Sequence, residues 1–408
     1  MAQPGISRPD LEAGEDITTR TLQLNFGPQH PATHGTLRIR MEVLGENVMK
    51  ADPEIGFLHT GFEKLGEYHS FNQFVCTTDR MNYLSPLCNN FGFAHAVEEL
   101  LDIELTPRCQ YLRVILCELT RIADHVICCG LQAMDLGAFS VLLWSFVERE
   151  KLYDLFELVT GARLTTSFAR VGGMMKDVPG EFVPRVRKFL REFPLTLKEV
   201  EKMLNRNRIF LDRTIGIAVV NAEDAKSYGA TGPILRATGV NYDVRRARPS
   251  WVYDELDFDV ITRTEGAVLA RYQVRFAEMK ESVKIISQAL DRLPGGPVNI
   301  DDWKVVLPEK AAVYTQMESL ITHFKLVMKG HGLKTPRNGK IYSCTEAPNG
   351  ELGWYIETDG SAVSYRLRCR PPSYINYSVM PQMVQGGYMA DVVACLSSLN
   401  VIAGELDR

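Results

Sequence analysis

Alternating apolar and polar residues are the first regular pattern along the chain. The segments Thr19–Phe26 and Thr36–Leu44 alternate with a period of two, and the second carries its charged residues on one side. This period is typical of half-buried β-strands. Gly45-Glu46-Asn47 provides a hairpin turn before a short third strand at Val48–Lys50.

A helical pattern replaces the alternation over Asn72–Asn207. Pro107 stands at a helix start, and the apolar residues after it follow the i, i+3, i+4 spacing of a helix face. Pro179 opens a charged segment that predicts a partly exposed helix. The longest helical pattern is Ala267–Leu293, which Pro294-Gly295-Gly296-Pro297 closes.

The C-terminal third returns to β-structure. Short strands are predicted at Lys340–Thr345, Leu352–Thr358 and Val363–Cys369. Asn349-Gly350 and Asp359-Gly360 have the composition of hairpin turns, and a last helix is predicted at Tyr388–Leu399.

The order of these elements predicts an α+β fold that is mainly helical. A central helix bundle is flanked by antiparallel β-sheet from both termini, and the missing βαβ alternation disfavours a Rossmann fold. We predict an N-terminal arm (1–20), an N-terminal β-rich region (21–70), a helical core (71–335) and a C-terminal α+β region (336–408).

Composition narrows the class of protein. The net charge is -4 and basic residues are dispersed, so nucleic acid is not an expected partner. The nine cysteines include no CxxC pair, which disfavours a disulfide framework and any metal or iron–sulfur site built from neighbouring cysteines. The acidic N-terminus lacks the features of a signal peptide, and we expect a reducing, cytoplasmic location.

Val126–Val147 is nearly apolar and long enough to span a membrane. However, it contains Asp135, which would be costly in lipid, and Gly137, which offers a helix break. We favour two buried helices that meet at a bend over a membrane span. An acid in such apolar surroundings should have a raised pKa unless a cation pairs with it.

The loop Gly27–Gly35 presents two histidines, His30 and His34, among two prolines and two glycines that prevent a regular helix. Histidine changes charge near neutral pH, so such a loop is a candidate site. The alternative from the loop alone is a turn whose histidines hydrogen-bond the backbone.

Several sequence blocks, taken together, resemble the D subunits of respiratory complex I, the NADH-quinone oxidoreductase. The resemblance extends from about Thr21 to Arg408, and it implies the fold of the related [NiFe]-hydrogenase large subunit. The blocks are Gly27–Gly35, Leu58–Lys64, Asp79–Leu84, Ile234–Arg245, Ser319–Lys325 and Gly404–Arg408.

The resemblance implies a quinone-reduction site. Tyr83 and His34 would hydrogen-bond the two carbonyl oxygens of the quinone, and Asp135 would pair with His34 and stabilise its protonated form. His30 would belong to the same quinone loop. From the residues alone, a core tyrosine with a satisfied hydroxyl is the simpler interpretation of Tyr83.

The resemblance also implies partners. No cofactor would be held by this chain alone. Electrons would come from a [4Fe-4S] cluster in the B subunit, facing Arg80 and Arg170, with FMN and NADH elsewhere in the complex. Other expected partners are the C subunit, the membrane-arm H subunit and further peripheral-arm subunits. The chain would lie peripherally on the cytoplasmic face of the inner (plasma) membrane, without a transmembrane segment, in a complex that couples quinone reduction to proton translocation.

Two departures from the family pattern stand out. The stretch Ala162–Phe168 has Thr165 and Thr166 but no histidine, which puts a proton-coupled cluster potential in doubt. Asn400 occupies a position that is usually aspartate in the family. Together with the absence of CxxC pairs, this does not support a nickel–iron site.

Two alternative interpretations stay open. Arg80 and Arg170 could form surface or core salt bridges instead of facing a cluster. A non-catalytic subunit of a related hydrogenase-like membrane complex is the alternative for the whole chain.

Overall fold

The computed structural model describes residues 21–328 and 331–408, so the predicted N-terminal arm 1–20 lies outside the described residues. The strands are β1 (Leu22–Phe26), β2 (Arg38–Leu44), β3 (Asn47–Glu54), β4 (Ala169–Arg170), β5 (Gly173–Met174), β6 (Arg337–Ala347), β7 (Gly350–Asp359) and β8 (Arg366–Arg370).

The helices of the same residues range from single turns to long rods. In chain order they are α1 (Phe62–Tyr68), α2 (Phe71–Met81), α3 (Pro86–Leu100), α4 (Pro107–Asp135), α5 (Phe139–Thr160), α6 (Phe182–Asn205), α7 (Arg208–Asp212), α8 (Ala222–Ser227), α9 (Pro233–Arg236), α10 (Val244–Ala247), α11 (Val268–Arg292), α12 (Lys310–Thr315), α13 (Met317–Val327), α14 (Pro372–Tyr377), α15 (Met380–Val384), α16 (Met389–Leu399) and α17 (Ala403–Asp407). Pro31–Thr33 and Tyr253–Glu255 form 3₁₀ turns.

The two small sheets at the ends of the chain are antiparallel, in the orders β1-β2-β3 and β6-β7-β8. The hairpin before β3 forms as predicted, although β3 continues to Glu54. The strand predicted at Val363–Cys369 is shifted, because the first residues after the Asp359-Gly360 turn do not pair with β7 and β8 begins at Arg366. The α+β class predicted from the sequence is confirmed; the hydrogenase relationship stays a prediction.

The sheet from the N-terminus is joined to residues near the C-terminus. The Val48 amide donates to the Gly387 carbonyl at 2.9 Å, and the Gly386 amide donates to the Val48 carbonyl at 2.7 Å. A buried cluster that includes Ile39, Val48 and Leu396 fills the space between this sheet and α16. The predicted regions 21–70 and 336–408 therefore share one core.

Helix α4 is the centre of the helical layer, with α3, α5, α11 and α16 packed around it. It is the longest helix of the described residues, with 29 residues against 25 in α11, so the prediction that Ala267–Leu293 is the longest was wrong. The Thr106 side chain caps its first turn by accepting from the Cys109 amide at 3.4 Å. No proline interrupts α4 after Pro107, so it continues to Asp135.

The apolar segment Val126–Val147 divides into two helices, as predicted. Helix α4 ends at Asp135, α5 begins at Phe139, and Gly137 takes a positive φ of 94° between them. Within the described ranges, no helix is long and apolar enough to cross a membrane. The predicted burial holds for α4, whereas Phe139, Leu143 and Val147 of α5 are exposed.

Buried ion pairs connect α4 to the elements around it. Arg236 lies 2.8 Å from Glu278 of α11 and 2.8 Å from Glu346 of β6, and Arg245 lies 3.0 Å from Glu118 of α4. Burial raises the pKa of Glu278, but the charge of Arg236 opposes this and the pKa falls to about 2. The carboxylate is therefore ionised at neutral pH and depends on its arginine.

Replacing Arg236 by methionine tests this network. The substitution leaves Glu278 and Glu346 buried without this cation, and we expect the free energy of unfolding to fall by about 3–5 kcal/mol. Urea unfolding of the purified chain measures the change. The matched control is Arg208→Met, which removes the 93% exposed arginine paired with Asp212 and should leave the unfolding midpoint unchanged. An Arg236→Met midpoint equal to that of the control would show that these buried ion pairs do not stabilise the fold.

Candidate functional site

One cavity contains all three residues predicted to be catalytic. It encloses about 50 Å³ between the Pro31–Thr33 turn, the C-terminal end of α4 and the segment after α16. His34, Tyr83 and Asp135 line it, together with Cys128, Leu131 and Asn400, among other residues. A site for one water molecule needs about 10–15 Å³, so the cavity has room for several.

His34 reaches the cavity because the backbone turns sharply at this residue. It ends the Pro31–Thr33 turn in the left-handed conformation, with φ 53° and ψ 23°, which is uncommon outside glycine. The Thr33 hydroxyl fastens the turn by donating to the carbonyls of Pro28 at 3.0 Å and His30 at 2.9 Å. The imidazole of His34 is exposed, so a ligand in the cavity can reach it.

His30 has a different position, although it lies in the same loop. Its Nδ1 accepts a hydrogen bond from the Ala32 amide at 3.2 Å, and its ring lies 4.1 Å from the ring of Phe26. It is not among the residues that line the cavity. For His30 the structure agrees with the alternative in which a loop histidine hydrogen-bonds the backbone. Its membership of the quinone loop stays a prediction.

Tyr83 is held by the residue that precedes it. Asn82 is fully buried, its Oδ1 accepts from the amides of Leu84 at 3.1 Å and Ser85 at 3.0 Å, and its Nδ2 donates to Glu405 at 2.8 Å. Burial raises the pKa of Tyr83, and the charges of Asp124 and Glu405 raise it further. The phenol is therefore protonated at neutral pH and able to donate.

The C-terminal helix α17 packs closely behind Tyr83. A Cβ atom on Gly404 would lie 2.3 Å from the carbonyl oxygen of Arg80 and 2.7 Å from that of Met81. Any larger residue would push α17 away from the end of α2. Glycine at this position is what allows Glu405 to reach Asn82.

Asp135 lies half-buried at the last residue of α4, where burial raises its pKa to about 6. The structure does not form the His34–Asp135 pair implied by the resemblance, since no nitrogen of His34 lies within 4.0 Å of a carboxylate oxygen of Asp135. The two residues face the same cavity from different elements. Their interaction would therefore pass through whatever fills the cavity.

Arg80 and Arg170 do not line the cavity. Arg80 is exposed and donates to the Cys76 carbonyl at 2.9 Å, while Arg170 donates to the carbonyls of Ser167 at 2.8 Å and Ala169 at 2.7 Å. Burial lowers the pKa of Arg170, and the nearby Cys76 and Asp79 oppose this. Both arginines therefore lie close to Cys76.

The stretch without the expected histidine has a structural role of its own. Ser167 donates to the buried Asp79 through its amide at 2.8 Å and its hydroxyl at 2.5 Å, and the Thr166 hydroxyl lies 3.4 Å from the same carboxylate. Burial raises the pKa of Asp79, and these donors oppose the rise.

Sequence analysis missed two carboxylates near the site, Asp124 of α4 and Glu405 of α17. Both are fully buried, which raises the pKa of Asp124 to about 6 and that of Glu405 to about 7. Asp124 follows the apolar Ile122 and Ala123 and is followed two residues later by Val126, and a carboxylate so close to apolar helix positions is the pattern that could have identified it. The described cysteines are free thiols, and no group of three or more His, Cys, Asp or Glu residues in the described ranges could hold a metal ion.

Comparison with known proteins defines the class. Residues 135–408 match the family described as respiratory-chain NADH dehydrogenase, 49 kDa subunit. The NADH-quinone oxidoreductase D subunit from Myxococcus xanthus is 45% identical over 413 residues, covering 100% of this chain and 99% of the relative. The D 2 subunit of the same enzyme from Rhizobium etli is 47% identical over 404 residues, covering 99% and 98%.

A third relative has a name that joins two subunits. The NADH-quinone oxidoreductase C/D subunit from Bdellovibrio bacteriovorus is 48% identical over 395 residues, covering 97% of this chain and 70% of the relative. All of these relatives are subunits of one oxidoreductase. The chain belongs to the 49 kDa or D subunit family of NADH-quinone oxidoreductase, respiratory complex I. The resemblance that the sequence blocks indicated is thereby confirmed.

Proposed function

We propose that this chain forms the site where complex I reduces quinone. The observation that supports the proposal is the single cavity lined by Tyr83, His34 and Asp135. Reduction places two electrons and two protons on a quinone, and negative charge develops on its two carbonyl oxygens. A phenol and an imidazole that line the same cavity are suitable donors to those oxygens.

Each of the three side chains has a separate task in this proposal. Tyr83 donates its phenolic hydrogen to one quinone oxygen, and the exposed His34 imidazole donates to the other. Asp135 is ionised above about pH 6 and places a negative charge in the same cavity as the His34 imidazole. The apolar side chains of Leu131 and Leu37, which also line the cavity, favour a ring over bulk water.

The electrons come from outside this chain in the proposal, since a [4Fe-4S] cluster in the B subunit would supply them one at a time. Arg80 and Arg170 would face that cluster and favour its reduced state. NADH and FMN would act elsewhere in the complex. The exposure of His34 leaves one side of the cavity for a neighbouring subunit to close.

Further partners follow from the same proposal. The C/D name of the Bdellovibrio relative supports contact with the C subunit. We also place the membrane-arm H subunit and other peripheral-arm subunits around this chain, which would lie peripherally on the cytoplasmic face of the inner membrane. Quinone reduction there would be coupled to proton translocation.

Tyr83→Phe tests the donor role of the phenol. The change keeps the ring and its packing, and we expect NADH:quinone activity of the assembled complex to fall about 10²-fold. Reduction of an artificial acceptor upstream of the quinone site should stay at the wild-type level. Tyr68→Phe, at a 71% exposed tyrosine, is the control and should change neither activity. Full quinone activity in Tyr83→Phe would refute the donor role and favour a non-catalytic subunit.

Asp135→Asn tests the role of the negative charge that Asp135 brings to the cavity. Because burial raises the pKa of Asp135 to about 6, the wild-type carboxylate gains its charge as the pH rises from about 5 to 7. Its contribution to activity should be lost as the pH falls through about 6. We expect wild-type quinone turnover to rise over this interval and the variant to show a lower, flatter pH–rate profile. A variant profile that superimposes on the wild type would show that Asp135 has no part in the reaction.

A further inference from the structure

Two buried carboxylates lie behind the cavity, each bonded to a residue beside it. Asp124 Oδ1 accepts from Asn400 Nδ2 at 2.6 Å, and Asn400 lines the cavity. Glu405 accepts from Asn82 Nδ2 at 2.8 Å and from the Ser373 hydroxyl at 2.5 Å. Asp124 is therefore hydrogen-bonded to a residue that lines the cavity, and Glu405 is hydrogen-bonded to the residue before Tyr83.

These two carboxylates differ from the buried acids of the ion-pair network. Glu98, Glu118 and Glu278 each lie within 3.2 Å of an arginine nitrogen. By contrast, Asp124 and Glu405 form no salt bridge within 4.0 Å among the described residues. A buried carboxylate without a close cation is far more stable with a proton on it.

The charged surroundings set how strongly that proton is held. Burial raises the pKa of Asp124, whereas Asn400 and the more distant arginines lower it. Burial also raises the pKa of Glu405, and the charge of Asp124 raises it further. The titratable groups that face the two acids are Arg121, Cys128 and Cys129 of α4, Arg149 and Tyr153 of α5, Arg275 of α11, Cys369 of β8, and Tyr83.

The hydrogen bonds leave room for a proton on each acid. Asp124 Oδ2 accepts no hydrogen bond from a described residue, so a proton on this oxygen displaces no donor. At Glu405 the Ser373 hydroxyl can rotate to accept from a protonated carboxyl. The Asn82 and Asn400 amides fix the unprotonated oxygens in place. The geometry therefore suits acids that gain and lose a proton with no larger change than the rotation of one hydroxyl.

We propose that Asp124 and Glu405 together hold one exchangeable proton, which replaces the proton that Tyr83 gives to quinone. This inference rests on the proposed function. The two acids do not line the cavity and act through Tyr83, so they are positioning residues for its proton. Repulsion between the two carboxylates favours one shared proton over two charges.

Every proton and electron of the proposed step is accounted for. The Tyr83 O–H bond breaks and an O–H bond forms on a quinone oxygen, while the electrons come from NADH through the rest of the complex. The tyrosinate then regains a proton from the carboxyl pair, and the pair is reprotonated from solvent. When both acids are ionised, their charges oppose loss of the Tyr83 proton. A protonated pair is therefore the active form.

Glu405→Gln and Asp124→Asn, made in the complete complex, test the proposal through the pH dependence of NADH:quinone activity. We expect the wild-type rate to fall as the pH rises through about 7, where Glu405 loses its proton. Each variant should lose this fall, with a rate at about pH 6 no more than about a tenth of the wild-type rate. Glu148→Gln is the control, because this buried carboxylate is paired with Lys151 at 2.9 Å. It should keep the wild-type profile.

Asn400→Asp provides a test if those variants do not assemble. The new carboxylate would lie 2.6 Å from Asp124 and the two would share a proton. The basic limb of the pH–rate profile should then move upward by about one pH unit or more. Unchanged profiles in Glu405→Gln, Asp124→Asn or Asn400→Asp would overturn this inference. If Tyr83→Phe lost activity in the same preparations, the proposed function would stand while this inference failed; full activity in Tyr83→Phe would remove both.

Discussion

The hydrogen bond between Asn82 and Glu405 ties the end of the chain to the residue beside Tyr83. It forms because Gly404 allows α17 to approach the backbone at Arg80 and Met81 more closely than any side chain would permit. The same C-terminal turn binds a second segment, since Asp407 accepts from the Gly56 and Leu58 amides at 2.8 and 2.6 Å. The last residues therefore position both the site tyrosine and the loop that follows the N-terminal sheet.

Helix α4 joins a region in which buried charges are paired to a region in which, among the described residues, carboxylates lack a nearby cation. Toward its middle, Glu118 and Arg121 belong to a network in which each buried charge has a partner of opposite sign. Toward its C-terminal end, Asp124 and Asp135 have no salt-bridge partner within 4.0 Å in the part of the chain that the structure describes, and burial raises the pKa of each to about 6. One rigid helix thus combines a region that stabilises the fold with a region in which carboxyl groups titrate near neutral pH.

The sequence predicted those secondary-structure elements that depend only on residues close to one another in the chain. Period-two alternation located β2, and Asp135 with Gly137 located the bend between α4 and α5. It could not distinguish the two loop histidines, because their difference arises from the left-handed backbone at His34 and the packing of His30 on Phe26. The family resemblance identified Tyr83, His34 and Asp135, which periodicity alone would have left as ordinary core or surface residues. Asp124 was missed because its partner Asn400 is 276 residues away in the chain.

The central claim is that this chain binds the quinone ring in the cavity between the Pro31–Thr33 turn and α4. Photo-crosslinking with a short-chain quinone analogue in the intact complex tests this claim most directly. Mass spectrometry of the labelled complex should find the label on peptides that contain His34 or Tyr83, and an excess of unlabelled quinone should remove it. Label confined to other subunits, or label on this chain that excess quinone does not displace, would contradict the account.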